Sequence, residues 1–260
     1  MLALYHWEPN LYFLKPLIAL AEKGAQFESH YFDPLQFEQF AAEFPANAES
    51  QLQLEFEGPV LVHDGAIISS SFFMLEYIAE ALPGPSLLPR DACARYRMRA
   101  FGQSGALLLG AAVATLGCAR YLGPALRGRA NGALQSRIAA IEPTERRARW
   151  QSLLEDSQET SVAAALGRLK RPLERIEAAL SASPWLAGVD YSIADIDAFA
   201  LLSPLPTLAP ELVNATVTPN ITAFLMRMHG RPAVRAALAR SRTGRPAEAF
   251  IPGAEASRWG

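Results

Sequence analysis

The chain has 260 residues and 28.2 kDa; half are hydrophobic, 19% are charged, and 24 Lys and Arg stand against 26 Asp and Glu for a net charge of −2. Such a length fits one large domain or two modest ones, the apolar content excludes wholesale disorder, and the near-neutral balance excludes a general nucleic-acid binder, which needs a basic face for phosphate. With Cys93 and Cys118 as the only cysteines, a disulfide framework and a thiolate-based metal cluster are excluded as well.

The opening residues carry no basic segment followed by an apolar run of the secretory kind, so a reducing cytoplasm is the expected compartment. Leu2 to Tyr5 is a short apolar run, and His6-Trp7-Glu8-Pro9 reads as a loop. From Asn10, Leu14, Leu17, Ile18 and Ala21 recur at helical spacing, and Gly24 sits where a helix C-cap belongs. Phe27 to Phe32 predicts a second strand, ended by Asp33-Pro34. Pro59 to His63 predicts a third, Asp64-Gly65 a tight turn, and Ala66 to Ile68 the return strand of a hairpin. Ser69-Ser70-Ser71 then precedes a helix over Phe72 to Ala79, whose first amides the serines can cap.

Strand, helix, strand, hairpin, helix is the order of a small α/β unit with a mixed sheet, the thioredoxin-like arrangement, over residues 1–82. A breaker-rich stretch, Leu82 to Pro89, predicts a linker over 83–91. Beyond it, Ala-, Leu- and Arg-rich segments with helical periodicity (about 92–122, 162–180, 193–202, 221–229 and 232–239) predict an all-α domain over 92–242. Within it Gly105 to Ala119 is the most apolar stretch, but it falls short of the roughly 20 residues a bilayer requires and reads as a buried helix. The basic run Arg146-Arg147-Ala148-Arg149-Trp150 reads as a solvated helix face, with contact to an acidic substrate as the alternative, and 243–260 as an irregular tail that either folds over the cleft or is disordered.

Ser192 to Asp195 is an S-x-x-D capping box, with Tyr191 and Ile196 at the staple positions around it. Its role is structural. The stretch containing it, Pro184-Trp185-Leu186-Ala187-Gly188 through Ala194-Asp195, resembles the helix signature of the cytosolic glutathione S-transferases. Gly58-Pro59-Val60-Leu61-Val62-His63-Asp64-Gly65 resembles the proline-led strand of that family, and Ser71 stands where the family carries its serine before the third helix. Leu14-Lys15-Pro16, Glu22-Lys23-Gly24, Phe27-Glu28 and Asp33-Pro34 through Phe37-Glu38-Gln39 are similar to the bacterial β-etherase branch, whose members use glutathione to cleave β-aryl ethers.

The resemblance implies glutathione as co-substrate, no metal, and a homodimer. It implies that Pro59 is a cis-proline whose neighbour Gly58 pairs through its backbone with the cysteinyl unit of glutathione as an added strand. Ser70 and Ser71 would receive the γ-glutamyl carboxylate at a helix N-terminus. Two departures bear on affinity. Ser70 replaces the family's acidic residue, and Ala46 to Gly58 is longer than usual and carries Glu49, Glu55 and Glu57. A further departure concerns the thiolate: a free thiol of pKa about 8.5 is only about 3% ionised at pH 7, and lowering it by two units requires about 2.7 kcal/mol. The branch supplies a serine or asparagine just before Leu14-Lys15-Pro16, where this chain has Tyr12-Phe13. Tyr12, Asn10 and Tyr5 are the candidate donors, with backbone amides as the remaining alternative. The region has no cysteine, so mixed-disulfide chemistry is excluded, and Cys93 and Cys118 are expected to be buried thiols of the helical domain. The electrophile is expected between the domains, against Trp7, Phe13 and Tyr121. The expected activity is thiolate attack on an aromatic electrophile; the alternatives are a transferase fold that binds glutathione, a conjugate or a partner without turnover, and sulfur transfer in biosynthesis.

Overall fold

The computed structural model describes residues 1–40, 44, 58–69, 71–142, 144–155 and 158–252. Its first domain runs β1 (Leu2–His6), α1 (Leu11–Lys23), β2 (Glu28–Tyr31), β3 (Val60–His63), β4 (Ala66–Ile68) and α2 (Ser71–Ala81), with short 3-10 turns at Pro34–Gln36 and Glu38–Phe40. The sheet order is β2-β1-β3-β4. β1 pairs in parallel with β2, Tyr5 opposite His30, and antiparallel with β3, Tyr5 opposite Val60. The β3–β4 turn follows from its residues, since Asp64 and Gly65 both take positive φ, +49° and +87°, as a two-residue hairpin of primed type demands. This is the thioredoxin-like domain of the mixed-sheet order.

α1 buries Leu14, Leu17 and Ile18 against the sheet and α2. It stops at Gly24, at φ +64°, where the amides of Gly24 and Ala25 close onto the Ala21 and Leu20 carbonyls. Lys23 turns inward and donates to the carbonyls of Ala79 (2.8 Å) and Leu82 (3.0 Å), satisfying the open end of α2.

The second domain is helical: α3 (Ala92–Arg127), α4 (Gly132–Ala139), α5 (Thr144–Ser152), α6 (Glu159–Ala182), α7 (Ile193–Leu202), α8 (Leu205–Leu208), α9 (Pro219–His229) and α10 (Pro232–Leu238). α3 is continuous through two π-helical stretches, Gly105–Gly110 and Cys118–Leu122. By length and composition alone it could cross a membrane, yet 60% of its most apolar window is buried inside the fold. α7 is buried on every side, from Ile193 to Leu202, the signature of a core helix. Its start is the expected capping box: the Ser192 amide donates to Asp195 Oδ2 (2.8 Å) and the Leu186 amide to Oδ1 (2.9 Å).

Three clasps join the domains. Lys15 of α1 and Asp197 of α7, both wholly buried, stand 2.6 Å apart, Nζ to Oδ1. Arg231 holds Glu22 through two bonds, 2.7 and 3.0 Å, and lies over the Tyr191 ring at 3.6 Å. The third corrects the solvated reading of the basic run. Trp150 is fully buried, with its ring centroid 5.1 Å from Phe37, and buried Arg146 covers the Phe40 ring at 5.4 Å. Residues four apart share one helix face, so this face of α5 turns inward onto the 3-10 turns. Cys93 is also corrected: it is exposed, whereas Cys118 is buried.

Candidate active site between the domains

The β1–α1 loop is shaped by three polar side chains that are almost fully buried. His6 bridges the Trp7 carbonyl and Ser29 Oγ, each at 2.7 Å. Burial pulls its pKa down, so the ring is neutral at physiological pH and acts as a tie between β1 and β2. Glu8 is an acceptor for four donors: the Ser241 hydroxyl, the Arg242 amide (2.8 Å), the Tyr31 hydroxyl (2.8 Å) and the Thr243 amide (3.1 Å). Burial alone would raise its pKa, but those bonds outweigh it and hold the carboxyl below its usual value. Asn10 stands at the N-cap of α1 without capping it; its Nδ2 donates instead to the Ala249 carbonyl at 2.9 Å. That bond ties one N–H of the Asn10 amide to the C-terminal segment and leaves its second N–H as a donor.

Leu11 follows at φ +42°, a region that strains a branched side chain. It turns the chain so that Tyr12 reaches toward α3. A Cβ placed on Gly110 would lie 2.9 Å from the Tyr12 hydroxyl, and one on Gly58 would lie 4.0 Å from Tyr12 Cβ. Tyr12 therefore stands where the strand-opening loop of β3 and the long helix of the second domain converge, with Lys15 Nζ 5.2 Å from its ring centroid. Tyr5 is held elsewhere, stacked on His30 at 4.5 Å and edge-on to Phe44 at 5.6 Å. Gly58 and Pro59 lead directly into β3, and Ser71 is the first residue of α2. Ser70 and the acidic stretch containing Glu49, Glu55 and Glu57 lie outside the described residues.

The three aromatic residues expected to line an electrophile pocket are covered by the chain itself. Trp7 and Phe13 are 6% and 2% exposed, packed in a cluster with Ala249 and Ile251. Tyr121 is stacked on Phe250, centroids 5.9 Å apart and planes 9° from parallel. The tail up to Pro252 is thus an ordered strap between the domains. Burial of its Phe and Ile side chains contributes about 1.5–3 kcal/mol each. A cavity of about 280 Å³ opens between the first 3-10 turn and the end of α3, walled by Leu35, Phe37, Leu126 and Leu134, with Arg129 and Arg137 also lining it. Among the described residues no group of three or more His, Cys, Asp or Glu side chains is placed to hold a metal ion.

Comparison with known proteins is decisive for the family. The glutathione S-transferase N-terminal domain matches residues 1–80, and the glutathione S-transferase C-terminal domain matches residues 137–232. The chain belongs to the glutathione S-transferase family. Among its relatives, Protein LigF of Sphingobium sp. strain SYK-6 is 29% identical over 241 residues, 90% of this chain and 91% of that protein. The crystal structure of β-etherase LigF from the same strain superposes with a TM-score of 0.83 at 28% identity, over 92% of this chain and 99% of that one. A Populus trichocarpa glutathione transferase, F7, shares the fold at 21% identity, with a TM-score of 0.68, covering 92% and 98%. A transferase homologue from Sulfitobacter, solved with bound glutathione, does so at 22% identity, with a TM-score of 0.66 and the same coverage.

The sequence left the tail either folded over the cleft or disordered, and the hold of Glu8 on it was not legible. The one signal was the single acidic residue, Glu8, in the largely apolar and aromatic Leu4-to-Leu14 stretch, at Trp7-Glu8-Pro9.

Proposed function

We propose that this family member is a glutathione transferase of β-etherase type. The thiolate of bound glutathione attacks the carbon bearing the aryl ether oxygen of an aromatic ketone. A carbon–sulfur bond forms, the carbon–oxygen bond breaks, and the aryloxide leaves with the bonding pair and takes its proton from water. The likeness of fold and sequence to a β-etherase supports the reaction class. The observation that carries the site is Tyr12, which stands at the N-terminal turn of α1 between Gly58 and Gly110. Glutathione lies along Gly58-Pro59 with its γ-glutamyl carboxylate at the α2 N-terminus by Ser71, where helix amides favour an anion. Its sulfur then faces the Tyr12 hydroxyl, which donates to the thiolate, a charge-assisted bond of about 1.5–3 kcal/mol. Family members usually form homodimers, and the same is proposed here.

Turnover of a β-aryl ether ketone with glutathione tests the reaction. Tyr12→Phe is expected to raise the pKa of bound glutathione, read from the thiolate's ultraviolet absorbance, and to lower kcat/KM by roughly 10–150-fold, the kinetic equivalent of one charge-assisted bond. An unchanged thiol pKa sinks Tyr12 as donor. A second reading, binding without turnover, is favoured by the strap's cover over Trp7 and Phe13; calorimetric titration showing tight glutathione binding by a chain that cleaves no ether would establish it.

A further inference from the structure

Three glycines on one side of α3 each receive an aromatic side chain from outside the helix. A Cβ on Gly102 would meet the Phe72 ring at 1.9 Å, on Gly110 the Tyr12 hydroxyl at 2.9 Å, and on Gly117 the Phe250 ring at 2.1 Å. Separations of eight and seven residues are two helical turns, so the notches form a row. The first two are filled by the first domain and the third by the C-terminal strap. Gly110 ends one π-helical stretch and Tyr121 lies in the other, so α3 is widened on both sides of the third notch.

Phe250 is 1% exposed, flat on Tyr121 and keyed into Gly117, while Ala249 and Ile251 cover Trp7 and Phe13. The slot is shaped for one flat apolar ring, and the chain supplies that ring itself. Its anchors are both in the loop that leads to Tyr12: Glu8 holds Ser241, Arg242 and Thr243, and Asn10 holds Ala249. The strap is therefore built onto the donor's own loop as a fixed wall.

We propose that Phe250 is the specificity-determining residue of the acceptor cleft. Its ring fills the aromatic slot from within and so limits the size of the acceptor ring the cleft admits, and Glu8 and Asn10 are positioning residues that hold it there. The specificity role rests on the transferase reading above; occupation of the slot does not.

The test uses full-length Phe250→Ala, with Gly117→Ala as the second variant, which displaces the ring without deleting it. Binding of the aromatic dye 8-anilinonaphthalene-1-sulfonate, without glutathione, is expected to tighten about tenfold in both, because a vacated apolar slot accepts an aromatic guest. With glutathione, kcat/KM for a two-ring over a one-ring aryl ether ketone is expected to rise about tenfold, with the KM for glutathione kept within about twofold. Unchanged dye affinity overturns the proposal whatever the chain does with glutathione. Tighter dye binding with an unchanged acceptor ratio overturns the specificity role. A wild-type chain that binds no glutathione sinks the transferase reading instead, and the dye then decides by itself whether Phe250 fills an aromatic slot.

Discussion

Lys15→Met removes the cation from a wholly buried ion pair and leaves the Asp197 carboxylate with no opposite charge 2.6 Å away. Oδ2 of Asp197 has no hydrogen-bond partner among the described residues, so little else compensates it. Burial already pushes the Asp197 pKa up, and Lys15 is what opposes that push. Breaking such a pair from one side costs about 3–5 kcal/mol, a large share of the roughly 5–15 kcal/mol that holds a domain together. The loss has a pH signature. A carboxyl whose folded pKa is raised contributes stability below its unfolded value and loses it as pH rises through the folded value. Lys15→Met should therefore be closest to wild type in acid and weakest at alkaline pH. Urea denaturation across pH 4 to 8 measures this, and Lys15→Met with Asp197→Leu should recover most of the loss at every pH, since an apolar replacement of the pair is often neutral or better. If the single variant lies within about 1 kcal/mol of wild type at pH 8, or the double variant is weaker than the single, the pair is not the interdomain clasp described here.

Three other outcomes are expected. Trp150→Ala should destabilise by about 3–5 kcal/mol by emptying the contact with Phe37, and a denaturation midpoint shift worth under about 1 kcal/mol would refute that burial. Burial, opposed by the bonds from Leu186 and Ser192, raises the Asp195 carboxyl to about 6, so its contribution is present below the usual carboxylate value and is lost as pH rises through about 6; wild-type stability relative to Asp195→Asn should fall between pH 4 and 7, and a flat difference would contradict it. Glu8 shifts the other way, so its hold on the strap is present above the usual carboxylate value of 4.5 and lost as pH falls through its depressed folded value. Hydrogen exchange at the Arg242 and Thr243 amides, corrected for intrinsic rates, should accelerate in acid for wild type and be fast at all pH values in Glu8→Gln.

The turns and caps of the fold were legible because each is local. Asp64-Gly65 specifies its turn, Gly24 its helix stop, and Ser192 with Asp195 a cap that closes within four residues. Lys15, Glu22 and Lys23 were legible only as a string of resemblance. Their work is done against Asp197, Arg231 and the end of α2, partners that no spacing in the sequence indicates. The basic run misled because Arg146 and Trp150 look like any amphipathic helix until the 3-10 turns at Phe37 and Phe40 are packed over them.

Sequence alone determined the order of elements, the mixed sheet, the helical second domain and the family, because these rest on periodicity, turn chemistry and short motifs. Tertiary structure decided what closes the cleft. Asn10 meets Ala249 across 239 positions and Glu8 meets Arg242 across 234. A bond between such distant residues leaves no local pattern: Asn10 reads as a candidate donor ahead of the first helix, and Phe250 as one aromatic residue in an irregular tail, until folding brings the two segments together.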